Sequence, residues 1–386
     1  MVRGMTGSER IEAAFSEGGA AEMGVVVPYE GIYERDKWEE LTSCPWSYRY
    51  SPEIEKQIQW WTDVRRWMAI DWFAIPGFYP RSECGHIRIE DRPDGFYRVN
   101  AQTGDAAKIE RPRVGDWNAA GAVESYHPAS PPDTFDEIDR RIRVPDDGPG
   151  PIDLDGRDDL AKALLAGPAR GLFPIAHGSS PLWNCYQLWG FEGLMTRIVE
   201  RRELVAHASE RLLRRALAGV RFAKAMGARA IWIEECMTDM IHPNDFRALN
   251  VPLIGRFADE IRSAGMKSIY YFCGDPAGKL DHILATGADA IALEEGKKGF
   301  EIDIEEVVGA VGGRRVVLGN LDAVGVLQNG TDAELRAEIA RQIAAGRRNG
   351  SRFVLSVGSP VTPLTAPERV RLYCDLGRES GAIAAS

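Results

Sequence analysis

The sequence predicts a closed (β/α)8 barrel with an N-terminal elaboration that includes a β-hairpin. Eight short β-branched or apolar runs recur along the chain, each ending in a polar or glycine-containing loop. Several are separated by helix-period segments, and near-continuous apolar runs mark parallel strands covered on both faces by helices. No GxGxxG motif follows any run, and the repeated βα units of the second half favour closure; a doubly wound sheet stays as the alternative.

In order, the runs are Gly24–Pro28, Ile70–Ile75, Leu172–Ala176, Ala230–Ile233, Ser268–Phe272, Ala288–Leu293, Arg315–Leu318 and Phe353–Val357. Between the second and third lie a candidate hairpin, His86–Glu90 with Gly95–Val99, and a Pro/Asp/Gly-rich passage from Ser130 to Pro151. Neither holds enough apolar periodicity for a core of its own. We therefore expect one domain over 1–386, with residues 85–150 outside the barrel wall. Val205, Ala208, Leu212, Ala216, Val220 and Ala223 make one apolar helix face, and Phe246, Leu249, Leu253, Phe257 and Ile261 another. Thr331 with Glu334, and Thr365 with Glu368, have capping-box spacing and predict helix starts.

Composition narrows the function classes. Hydrophobic residues are 44% and charged residues 27% of 386, which suits a packed globular chain rather than a disordered one. Lys plus Arg number 47 against 57 acids, a net charge of −10, so no general basic field exists to hold nucleic acid or an anionic membrane. The six cysteines form no CxxC pair, arguing against a disulfide scaffold or zinc ribbon. No apolar run reaches the roughly 20 residues that span a bilayer, and the acidic, alanine-rich start does not read as a signal peptide, so a cytoplasmic setting is expected.

In a barrel of this kind the site lies at the strand C-termini. Residues there are Tyr29 and Glu30; His177, Ser179 and Trp183; Glu234, Glu235 and Cys236; Cys273 and Asp275; Glu294 and Glu295; Asn320 and Asp322; and Ser359. Any one of the acids could merely cap a helix. Converging on one rim, they would be costly to desolvate unless paired or bound to something, as a catalytic or metal site provides. Strand alternation puts Tyr271 on the side of Cys273 and away from Tyr270 and Phe272. Trp183, Trp189 and Trp232 are candidate apolar walls, equally explained by core packing. Cys273 is either a ligand or a small buried hydrophobe, and His242 and His282 fall on or beside helices, at the surface.

The stretches Gly227-Ala-Arg-Ala-Ile-Trp-Ile-Glu-Glu, His242-Pro-Asn-Asp-Phe, Val251-Pro-Leu, Phe272-Cys-Gly-Asp, Gly287-Ala-Asp-Ala-Ile, Leu318-Gly-Asn-Leu-Asp, Gly330-Thr and Pro363-Leu-Thr-Ala-Pro-Glu occur in an order that resembles the uroporphyrinogen decarboxylase superfamily. The resemblance covers about residues 170 to 380, and the Glu9-Arg-Ile-Glu-Ala-Ala-Phe segment adds to it. It implies a single TIM barrel and one of two chemistries: cofactor-free decarboxylation of uroporphyrinogen, or methyl transfer involving a corrinoid, usually with zinc. The decarboxylases hold substrate carboxylates with an Arg-Gln-Ala-Gly-Arg motif; the corresponding region here, Pro28-Tyr-Glu-Gly-Ile-Tyr, is acidic and aromatic. The zinc enzymes use His-x-Cys at the fifth strand and Gly-Cys at the eighth. This chain has Tyr271, Cys273 and Gly358-Ser359 at those places, so one of three ligand positions is retained, with His177, Glu234 and Glu294 as conceivable substitutes.

The expectation drawn from this resemblance is a methyltransferase that demethylates a small, aromatic methoxylated compound and passes the methyl group to a cobalt corrinoid on a partner protein. Glu234, His177 and Tyr271 are the candidate catalytic residues. Trp183, Trp232, Asp275, Glu294, Asn320, Ser359 and Tyr29 are the candidate substrate contacts, with Cys273 a candidate metal ligand and zinc left open. A homo-oligomer is compatible with this reading. The rivals are a cofactor-free decarboxylase of a small acid, with Arg35, Arg65 and Arg66 as carboxylate holders, and a non-catalytic corrinoid- or tetrapyrrole-binding protein.

Overall fold

The structure, a computed structural model, describes residues 4–110, 126–145, 152–296 and 299–383. In chain order its strands are β1 (Gly24–Val26), β2 (Trp72–Ala74), β3 (Ile87–Arg92), β4 (Gly95–Asn100), β5 (Ala106–Lys108), β6 (Phe173–Ser179), β7 (Ala230–Glu235), β8 (Lys267–Phe272), β9 (Ala290–Leu293), β10 (Val316–Leu318) and β11 (Phe353–Ser356). Eight of them pair in the order β1-β11-β10-β9-β8-β7-β6-β2, every pairing parallel, with helices between. All eight predicted runs are these strands, and the architecture is the (β/α)8 barrel.

The predicted hairpin is β3–β4, in register from Ile87 opposite Asn100 to Arg92 opposite Gly95. A third antiparallel strand, β5, extends it, and these three pair only with one another among the described residues. Its alanine–alanine–lysine sequence carried no apolar signal. Residues 111–125 and 146–151 of the expected excursion lie outside the described residues.

Helix Arg202–Ala225 buries Val205, Ala208, Leu212, Val220 and Ala223, the face expected. The single helix expected over Phe246–Ile261 is instead two, Pro243–Leu249 and Val251–Ser263, broken at Asn250. The cause is Pro252, which has no N–H to donate to the Ala248 carbonyl and restarts the helix with itself in the first turn; at the break the Asn250 Nδ2 donates to Glu235 Oε2 at 2.6 Å and to the Tyr270 hydroxyl at 2.9 Å. Thr331 forms its capping box with Glu334. Thr365 does not begin a helix; its hydroxyl meets that of Thr362, and the helix starts at Pro367, whose fixed φ suits the first turn. The same Thr-x-x-Glu signal stood unread at Thr6–Glu9 and Thr134–Glu137, both of which form capping boxes.

The ladder does not close between β1 and β2; one backbone hydrogen bond and several side chains bridge that seam instead. The Asp71 amide donates to the Val25 carbonyl at 2.8 Å, and the Asp71 carboxylate accepts the Val25 amide at 2.8 Å. Further along, Trp72 Nε1 donates to the Val27 carbonyl at 3.1 Å, and at the C-terminal end the Ala74 amide donates to Glu30 Oε1 at 2.7 Å. The Asp71 carboxylate, almost fully buried, also takes Arg10 from the first helix (2.7 Å) and Arg378 from the last (3.1 Å). Removing one partner of such a cluster leaves buried charges uncompensated. Asp71→Ala should therefore cost about 3–5 kcal/mol, the usual range for breaking a buried ion pair, seen as a lower urea midpoint with unchanged slope. A loss below about 0.5 kcal/mol, the size of a surface change, would show that the seam does not depend on it.

Candidate active site at the strand C-termini

Tyr29 follows β1 in a left-handed conformation (φ 55°), uncommon for a non-glycine residue. The turn aims its ring across the barrel mouth. Its centroid lies 5.6 Å from His177, 5.7 Å from Trp232 and 5.8 Å from Tyr271, and Trp232 stacks on Tyr271 at 4.9 Å. Trp232 Nε1 donates to the Tyr29 hydroxyl at 3.1 Å. Burial, then the nearby Glu234 carboxylate, raises the Tyr29 phenol pKa, so it stays protonated. The His177 ring is open to the cleft but walled by protein on its other sides, and that desolvation lowers it to about 4, leaving a neutral imidazole near pH 7.

Alternation along β7 and β8 separates two chemistries. Trp232 and Glu234 share a face with Tyr271 and Cys273, with Glu234 beside Tyr271 in register. Glu235 points the other way, into the helix layer, where burial pushes it up to about 7 while hydrogen bonds from Asn250 and Tyr270 oppose the shift. On the inner face Glu294 gathers three donors: Cys273 Sγ at 3.2 Å, the Gly274 amide at 2.9 Å and the Ser359 hydroxyl at 3.2 Å. The Tyr271 hydroxyl donates to the Gly358 carbonyl at 3.0 Å. Only glycine fits at 358, since a Cβ there would come within 2.3 Å of the Glu295 amide nitrogen. Cys236 continues β7 beside Cys273. Its thiol, which donates to Glu234 at 3.5 Å, is held protonated by Cys273 and by burial.

These contacts test the fit of zinc. Cys273 donates its thiol proton to a carboxylate, Tyr271 is spent on a carbonyl, and Ser359 on the same carboxylate. Among the described residues no group of three or more His, Cys, Asp or Glu is arranged to hold a metal ion. The residues present do not fit a zinc site, and Cys273, the candidate metal ligand, stands as a thiol donor in the Glu294 array.

The remaining expected residues divide. Asn320 does not face the cleft: it is buried, donates to the Ile302 carbonyl at 2.8 Å and accepts from Gln342 at 3.1 Å, so its amide is occupied in holding the loop after β10. Asp275 accepts the Ala277 amide at 2.9 Å and shapes its own turn. Trp183 stacks on Tyr186 at 5.0 Å and borders none of the cavities described below. Of the rival carboxylate holders, Arg35 pairs with Asp36 (2.6 Å), Arg65 is buried, and Arg66 is largely exposed beside Asp63.

The open space lies mainly to one side of this cluster. A cavity of about 500 Å³ is lined by Glu30, Glu34, Arg49, Tyr50, Trp60, Trp61 and the loop after β2. A second, about 450 Å³, shares Glu30, Arg49 and Tyr50 with it and reaches Tyr29 and His177. Together they form one cleft ending at the Tyr29–His177 pair. Glu30 is its buried acid: Oε1 takes the Ala74 amide, Oε2 has no partner, and burial, then Glu34, pushes the carboxyl up to about 7. Sequence reasoning placed Glu30 at a strand end but missed Glu34 and Arg49. The Glu30–Glu34 spacing of four in an acidic, aromatic segment was the available signal.

A family model described as Uroporphyrinogen decarboxylase (URO-D) matches residues 169–380, from β6 through β11. The chain is 22% identical over 160 residues to the uroporphyrinogen decarboxylase of Gloeobacter violaceus, covering 41% of this chain and 44% of that protein. It is 26% identical over 151 residues to the methylcobamide:CoM methyltransferase MtbA of Methanosarcina mazei, covering 38% and 41%. The chain spans about half the length of the curated relatives it matches. Among solved structures, a methyltransferase from Methanosarcina mazei shares the fold, with a TM-score of 0.63 at 15% identity over 97% of this chain and 99% of that one. The resemblance read from the strand-end motifs thus holds over more than half the sequence, and the chain belongs to the uroporphyrinogen decarboxylase (URO-D) family.

Proposed function

We propose that this chain is a methyltransferase that demethylates a small aromatic methyl ether. The observation that carries the reading is the charge and lining of the cleft. Its walls are aromatic; of its two lining arginines, Arg35 is paired with Asp36 and only Arg49, 3.7 Å from Glu34, faces the space, so a polycarboxylate porphyrinogen would find one cation and no cationic belt. A reduced cobalt corrinoid on a partner protein would supply the nucleophile that accepts the methyl group. Exposed Met237, Met240, Val324 and Leu364, on the loops after β7, β10 and β11, give the strand-end face apolar surface where such a carrier could dock.

The chain's own residues would bind the ring and stabilise the leaving oxygen. His177, neutral near pH 7, and the protonated Tyr29 phenol are the donors at the end of the cleft, with Glu234 positioned beside Tyr29. Tyr271, whose hydroxyl donates to the Gly358 carbonyl, is assigned to the aromatic wall beside Glu234 rather than to proton transfer. A second reading, cofactor-free decarboxylation of a small acid, is favoured by one observation: Arg49 and a proton-holding Glu30 line the same cavity.

Mixing the protein with a methoxybenzene and a reduced corrinoid protein should yield the methyl–cobalt spectrum. Carbon dioxide release without corrinoid would select the second reading instead, and turnover of uroporphyrinogen would sink both. His177→Ala should lower kcat about 100-fold, the scale of a lost proton-transfer or hydrogen-bonding group, whereas Tyr271→Phe should leave it within about threefold. Because His177 is lowered to about 4, its contribution as a neutral donor should be constant from pH 8 to 5 and should rise, not fall, as protonation near pH 4 adds a second N–H and a positive charge; a change centred near 6.5, the ordinary imidazole value, would count against the desolvated setting. As purified, the protein should hold little zinc by elemental analysis, and Tyr271→His with Ser359→Cys should increase the content by supplying imidazole and thiolate. Stoichiometric zinc in the unmodified protein would contradict the ligand geometry.

A further inference from the structure

The cleft's charge inventory narrows its ligand further. Glu30 sits on the helix Glu30–Asp36, one turn before Glu34. Packed against that helix are the 3-10 turn Trp46–Tyr50, which brings Arg49, and the helix Ile54–Trp67, which brings Arg65. The Arg49 guanidinium lies over the rings of Trp46 and Trp60 at 5.6 and 5.7 Å, and its Nη1 stands 3.7 Å from Glu34 Oε2, too far for a hydrogen bond. Tyr79 closes the far side by donating to the Tyr50 carbonyl at 2.9 Å.

Two carboxyl groups thus meet two guanidiniums. Arg35 is already paired with Asp36, and His177, which faces the group from β6, is neutral. Burial raises Glu34 as well as Glu30, and Arg65 also faces Asp71, so Arg49 is the cation the cavity offers; Glu30 Oε2 and Arg49 Nη1 both remain without a hydrogen-bond partner there. A buried polar atom lacking a partner is costly, and a ligand that supplies one removes the penalty.

We propose that this cleft binds a small aromatic compound carrying a single carboxylate, with Arg49 pairing that carboxylate and the Glu30 carboxyl hydrogen-bonding the ligand. The aromatic part of this assignment rests on the reading above; the anionic part rests on Glu30, Glu34, Arg49 and Arg65. One carboxylate gives Arg49 Nη1 the hydrogen-bond partner it lacks, a second would face Glu30 and Glu34 with no further cation in the lining, and a neutral ring leaves Arg49 with only its distant contact with Glu34. Raising the pH through about 7, the value to which burial brings Glu30, ionises the acid, removes its O–H donor and places a like charge beside the ligand.

The test is binding without turnover. Calorimetric titration of the whole chain with 4-methoxybenzoate at pH 6 should show one saturable site, at least tenfold tighter than for neutral 4-methoxybenzyl alcohol. Affinity should weaken about tenfold from pH 6 to 8, the change in protonated fraction of a group titrating near 7, and Glu30→Gln should abolish that dependence. Arg49→Gln should lose at least tenfold, while Arg49→Lys, which keeps the charge, recovers part of it and separates lost pairing from lost fold. Equal affinity for acid and alcohol, an unaffected Arg49→Gln, or an unchanged pH dependence in Glu30→Gln would each overturn the proposal. Specific binding of 4-methoxybenzoate with no methyl transfer to corrinoid would leave this site standing and remove the methyltransferase reading.

Discussion

The rest of the structure depends on the seam between β1 and β2. Seven neighbouring strand pairs share ladders, but here the closure relies on Asp71 at one end, Trp72 in the middle and Glu30 at the other. A backbone ladder spaces two strands about 4.8 Å apart along their length; here a single backbone hydrogen bond at Asp71, with side chains, stands where a ladder would run. The cleft opens at the C-terminal end of this seam, lined by the segments that leave β1 and β2. The same glutamate that completes the seam with one oxygen offers the other to the cavity, so barrel closure and the proposed ligand site share a residue.

Burial acts on the two raised glutamates in different settings. Glu235 and Glu30 are both fully enclosed and both brought to about 7. Glu235 has its hydrogen bonds from Asn250 and Tyr270 and pins a broken helix to the outside of β7. Glu30 has one backbone donor and a cavity. A perturbed carboxyl therefore marks a functional candidate only where space adjoins it.

The inner-face array around Glu294 shows how a family position is reused. Tyrosine and serine at 271 and 359 each have a hydroxyl that donates a hydrogen bond, and the protein uses both internally, to Gly358 and to Glu294. Cys273 joins the same array as a third donor. The result is a hydrogen-bonded wall of the barrel mouth, on which Trp232 stacks and against which Tyr29 packs edge-on.

Periodicity alone determined the eight strands, the helix face of Arg202–Ala225 and the capping box at Thr331, because these depend on nearest neighbours along the chain and on which face is apolar. The strand-end rule likewise placed His177, Glu234 and Tyr29 at the mouth. The break before Val251–Ser263 follows from Pro252 in the sequence itself, and only the tertiary structure decided that Asn320 and Tyr271 spend their polar groups on backbone and neighbouring side chains. It alone brought Arg49 and Glu34 to the cleft beside Glu30. Those outcomes turn on hydrogen-bond partners and desolvation set by residues tens to hundreds of positions away, such as Gly358 for Tyr271, and no local pattern encodes which partner a polar side chain will meet.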